Sequence, residues 1–134
     1  MNRPTEPSAL SANVASATKP LGLLIIGRKR PGFDQEWNQI MVSRATAALR
    51  AMGLPPIGGE APVVDDETII AALERIRLAD CDSLLVLQPS LGNGQFVFTT
   101  MQRWNKPIVL WATPERAEGP KVSSCSLVAQ HLWA

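Results

Sequence analysis

Several residue groups in this 134-residue sequence are of types that do chemistry. Arg28, Lys29 and Arg30 are consecutive cations able to hold a phosphate, a carboxylate or sugar hydroxyls. The plain alternative is a solvated charged loop. Gly92-Asn93-Gly94 would let backbone N–H groups approach a ligand at a helix start, or form an ordinary turn. The triplet lacks the spacing of a dinucleotide fingerprint and the Lys-Ser/Thr of a P-loop. Carboxylates at Asp34, Glu36, Asp65, Asp66 and Glu67 sit where helix caps belong. Asp80 and Asp82 flank Cys81, and Glu115 stands alone, so no acid–base pair or divalent-metal cluster is spelled out. Cys125 precedes an apolar run, where a helix start would lower its pKa, and the plainer reading is a small residue in a cap sequence; Cys81 reads as packing. His131 is the single histidine. Any Ser-His-Asp or Cys-His device would have to use it, three residues from the end of the sequence, where chains usually fray.

The elements that must position these residues follow from hydrophobic pattern. Residues 21–26 (LGLLII), 83–87 (SLLVL) and 108–112 (IVLWA) are continuous apolar runs of the kind buried on both faces of a parallel sheet. A weaker strand is expected at 61–64, after a Pro- and Gly-rich stretch at 54–59. Between them lie three helical patterns. The first is capped at Asp34, carries Trp37, Ile40, Met41, Ala45, Ala48, Leu49 and Met52 on its apolar stripe, and stops at Gly53. The second is capped at Asp65, buries Ile69, Ile70, Leu73 and Ile76, and ends at 79–80. The third covers 95–104, with Phe96, Val97, Thr100, Met101 and Trp104 on one stripe. Trp37 and Trp104 therefore read as packing, whereas Trp111 and Trp133 are free to face a partner.

This β-α-β-α-β-α-β order predicts an α/β fold: a flavodoxin-like three-layer αβα sandwich with a four-stranded parallel sheet, order 2-1-3-4. Ligands then belong at the carboxyl edge, beside the loops 27–33, 88–94 and 113–119. Residues 1–19 read as a disordered leader, 20–120 as the folded domain, and 121–134 as the start of a further helix. That helix either docks back on the sheet or leads into a second domain. Charge excludes some functions. Thirteen Lys and Arg against twelve Asp and Glu give a net charge of +1, too weak a field to gather nucleic acid or an anionic membrane. Two cysteines and one histidine make neither a zinc site nor a disulfide framework, which points to a reducing, cytoplasmic setting. No apolar stretch is long enough to span a membrane.

Arg30-Pro31-Gly32, Gly92-Asn93-Gly94-Gln95, the segment 106–115 (KPIVLWATPE), Ser123-Ser124-Cys125-Ser126-Leu127-Val128 and His131-Leu132-Trp133-Ala134 together resemble the N-terminal domain of the L-fucose/L-arabinose isomerase family. The 106–115 segment and the Ser-Ser-x-Ser-Leu run carry most of that likeness, which extends from Pro20 to Ala134. It implies an aldose–ketose isomerase of carbohydrate metabolism, longer than this chain, cytoplasmic and homo-oligomeric. Its divalent metal, usually Mn2+, is held by acidic and histidine side chains of later domains. Carboxylates near that metal move a proton through an enediol, or a hydride shifts between C1 and C2. The first domain lends substrate contacts to a neighbour's site, and Arg30 is the position carried over; Asn93, Trp111 and Glu115 are secondary contacts. No segment of this sequence corresponds to the metal-binding domains. The expectation is therefore a fragmentary isomerase that has no catalytic residue or cofactor of its own. The competing expectation is a stand-alone flavodoxin-like binding or interaction module.

Overall fold

The structure, a computed structural model, describes residues 20–29, 35–89 and 94–114. Seven elements alternate along the chain: β1 (Leu21–Ile25), α1 (Gln35–Ala51), β2 (Pro56–Gly58), α2 (Asp66–Leu78), β3 (Ser83–Gln88), α3 (Gly94–Arg103) and β4 (Ile108–Ala112). The four strands form one all-parallel sheet in the order β2-β1-β3-β4. This is the flavodoxin-like arrangement expected from the pattern, and the chain reverses direction across the sheet between β1 and β3.

The apolar runs alternate sides as a pleated strand requires. Leu24, Ile26, Leu84 and Val86 face one layer, with Ile69, Leu73 and Ile76 of α2 and Phe96 of α3. Leu23, Ile25, Leu85 and Leu87 face the other, with Ala45 and Leu49 of α1. Among the described residues, two helices thus cover one face of the sheet and one helix the other. Burying these side chains is the main stabilising term, each contributing about 1.5–3 kcal/mol relative to exposure.

The helix ends are chemically specified. Asp65 accepts from the Thr68 backbone N–H at 2.8 Å, and Asp65's own N–H donates to Thr68 Oγ1 at 3.1 Å. This is a capping box with Thr in place of the usual Glu. At the end of α1, Leu54 N–H donates to Leu49 O at 2.9 Å and Gly53 N–H to Arg50 O at 3.0 Å. Gly53 adopts φ +77°, completing a Schellman stop.

Three expectations change. The second strand is not 61–64 but Pro56–Gly58, within the Pro- and Gly-rich stretch. Pro56 is tolerated because it opens an edge strand. Gly58 and Gly59, at φ +91° and +79°, then swing the chain away. Only Val63 returns, bridging Ile26 with its N–H on Ile25 O at 2.7 Å. Second, Ala48, Met52, Ile70 and Met101 are exposed. Each lies on the flank of its helical stripe, where the sheet beneath is already covered by its neighbours. Third, Trp37 is no simple core residue. It is half-buried, Arg44 stacks over its ring at 5.7 Å, and its Nε1–H donates to Pro114 O at 2.9 Å. The first helix is thereby tied to the chain leaving the last strand. Trp104 is buried as expected, with Lys106 Nζ 5.8 Å from its ring centroid. The proposed cap Asp34 lies outside the described residues.

Candidate functional site

The carboxyl ends of β1 and β2 open into a crevice of about 700 Å³, within the usual range of roughly 300–1,000 Å³ for small-molecule sites. Its floor is apolar: Ile25 and Ile26 from β1 and its extension, Val42 from α1, and Pro62 and Val64 from the return segment after β2. Its polar lining is Gln35, Asn38, Gln39 and Ser43 of α1, with Arg28 and Glu60 from the flanking loops. The α1 residues recur at i, i+3, i+4 and i+8, so helical geometry alone sets them on one face. Backbone pairing fixes the opposite wall. Gly27 N–H donates to Val63 O at 2.8 Å, which holds the two loops side by side.

The electrostatics are nearly neutral. Glu60 is exposed, and its carboxyl is held below the usual range first by a hydrogen bond from its own backbone N–H. Slight burial opposes this shift, and Arg75, 2.8 Å away, adds to it. Among the described lining residues Glu60 is the one carboxylate, and it is already partnered by a guanidinium. The adjoining cation Lys29 is committed elsewhere, to Asp65 at 3.1 Å. Arg28 supplies positive charge at the rim. Three side-chain amides and a hydroxyl each donate and accept hydrogen bonds, which suits a ligand bearing several hydroxyl or carbonyl groups better than a multiply charged anion.

The expected site residues are placed as follows. Trp111 is the penultimate residue of β4, half-buried against the α1-side cluster and outside the crevice lining. Arg30, Asn93 and Glu115 lie outside the described residues, as do Cys125 and His131. Cys81 is fully buried, as expected of a packing residue, and burial pushes its thiol pKa up. The crevice residues of α1 were not singled out in the sequence, although their shared helical face is visible there. Among the described residues no three His, Cys, Asp or Glu side chains come together as a metal site. The Mn2+ of the isomerase resemblance therefore finds no fitting donor set among the described residues. No described helix is long and apolar enough to cross a membrane. The chain matches no protein-family model, no curated protein and no solved structure.

Proposed function

We propose that this chain is the flavodoxin-like first domain of an aldose–ketose sugar isomerase of the L-fucose/L-arabinose type, acting in carbohydrate metabolism. In this reading the domain is cytoplasmic and homo-oligomeric, and it contacts the sugar while metal-binding residues elsewhere in a longer polypeptide perform the isomerisation. The observation that carries the reading is the amide- and hydroxyl-lined crevice at the carboxyl edge of a parallel sheet. Open α/β sheets bind ligands at that edge, and hydroxyl recognition uses those neutral groups. Arg30, the position implied by the resemblance, follows Arg28 by two residues in the sequence; Asn93, Trp111 and Glu115 are the secondary contacts. On its own the chain binds polyols without converting aldose to ketose.

One observation bears on a second reading, a stand-alone binding module: Arg28 places a cation at the rim of the crevice. The two readings part on ligand chemistry. Backbone amide shifts are followed while L-fucitol, L-arabinitol or inorganic phosphate is added to millimolar concentration. The sugar-isomerase reading expects saturable shifts of Gly27, Asn38 and Ser43 with the polyols, weakened about tenfold (1.4 kcal/mol) by Asn38→Leu. Saturable shifts with phosphate alone would favour an anion-binding module, and no response to any of the three would remove the crevice as the site.

A further inference from the structure

The two edges of the sheet differ in kind. β2 has three residues, opens on Pro56, and gives way to a chain swung aside at Gly58 and Gly59. Shortness and proline both guard an edge against pairing. β4 has five residues and, among the described residues, pairs with β3 alone. From 108 to 112 it carries neither proline nor charge. The adjacent cation, Lys106, is turned inward: its Nζ donates to Cys81 O at 3.0 Å and lies 5.8 Å from the centroid of the Trp104 ring. Val109 is 55% exposed on the α1 side of this strand, and Leu110 is 40% exposed on the other side.

The backbone of β4 specifies the partner this edge fits. Leu84 N–H donates to Pro107 O at 3.0 Å. In the parallel register Leu84↔Ile108, Leu85↔Val109 and Val86↔Leu110, that bond commits the backbone groups of Val109 and Trp111 to β3, because alternate residues of a strand bond to the same neighbour. The N–H and C=O groups of Ile108, Leu110 and Ala112 therefore point away from the sheet. They are spaced evenly about Leu110. A second β4 laid antiparallel across a twofold axis at Leu110 meets them group for group, with Leu110 opposite Leu110 and Ile108 opposite Ala112, each a hydrogen-bonded pair. The side chains match in the same register. On the α1 side Val109 stands opposite the second copy's Trp111, an aromatic–β-branched pair. Trp111 keeps its half-buried seat against the α1-side cluster and offers its remaining surface. On the other side the Leu110 side chains meet at the axis.

We propose that β4 is a homodimer interface: two copies of this chain join antiparallel through Ile108–Ala112, and a single sheet runs across both. β2 is guarded, so each copy has one edge to offer, and the assembly closes at two copies without growing into a filament. The inference stands apart from the sugar reading, since it uses neither the crevice nor its ligand.

The test uses the full chain. Sedimentation velocity is expected to show a monomer–dimer equilibrium between about 1 and 100 μM. Val109→Lys, which puts a charge on an exposed edge position, is expected to raise the dissociation constant about tenfold or more while the amides of β1 and β3 keep their protection. Met52→Lys, at a position 68% exposed just beyond the end of α1, is expected to leave the equilibrium unchanged. Hydrogen exchange of the unmodified chain reads the register without any variant. Amides of Ile108, Leu110 and Ala112 are expected to exchange about tenfold more slowly at the high concentration than at the low one. Those of Val109 and Trp111, already bonded to β3, are expected to change little. A chain that stays monomeric at about 100 μM would overturn the proposal. So would a dimer weakened equally by both lysine variants, or by neither. Slow exchange of Ile108, Leu110 and Ala112 that is independent of concentration would assign the edge to another part of the same chain, and would overturn it as well.

Discussion

Asp65 shows how much one side chain arranges. Its carboxylate caps α2 and also meets Lys29 from the loop after β1. Its pKa is depressed, first by the Thr68 backbone N–H, then by the Thr68 hydroxyl and Lys29. A depressed carboxyl adds stability above its unfolded value, near 3.8, and loses it as pH falls through the lower folded value. Urea midpoints of the parent and of Asp65→Asn, measured from pH 7 to pH 3, are therefore expected to differ most at neutral pH and to begin converging only below about pH 4. This capping role was legible in the sequence, because Asp-Asp-Glu before an apolar stripe has one structural meaning. The roles of Gln35, Asn38, Gln39 and Ser43 were not. Polar residues on a helix read as a solvent face until the loops after β1 and β2 are known to fold over them.

At the scale of elements, the tightest fit lies between β1 and α2. A methyl group added at Gly22 would collide with Cγ2 of Ile76 and press on Leu84, and Ile76 is itself fully buried. Gly22→Ala is expected to cost about 1–3 kcal/mol by overpacking, and Ile76→Ala about 2–5 kcal/mol by leaving a cavity. The double variant is expected to be more stable than the sum of these losses, since each change relieves the other. Guanidinium unfolding of the four proteins measures that coupling, and strict additivity would contradict the contact. The element order and three of the four strands followed from apolar runs. β2 did not, because Ile57 is its one strand-forming residue and stands between a proline and a glycine, both depleted in strands. Its conformation is imposed by pairing with Leu21, Gly22 and Leu23. The exposed Met52, Ile70 and Met101 show the same limit from the other side: periodicity identifies a stripe, but the width of the sheet beneath decides which flank is covered.

For the whole molecule, the sheet order sets a hierarchy of protection. β1 and β3 are central, paired on both sides, and contribute Leu24, Ile25, Leu84 and Val86 to the fully or almost fully buried core; β2 and β4 are edges. Amides of β1 and β3 are expected to exchange only through global unfolding, and those of β2 and β4 through smaller openings. Hydrogen exchange across a range of low urea concentrations separates the two classes, and equal urea dependence in all four strands would contradict the hierarchy. The same order has a consequence during synthesis. Ile25 pairs with Leu87, so β1 leaves the ribosome about 60 residues before its central partner exists. At roughly 5–20 residues per second, that delay is about 3–12 seconds. Throughout it, Leu23, Leu24 and Ile25 lack their β3 partners and have only the short edge strand β2 and the Val63 bridge to pair with, leaving the kind of apolar edge that chaperones hold until its neighbour arrives.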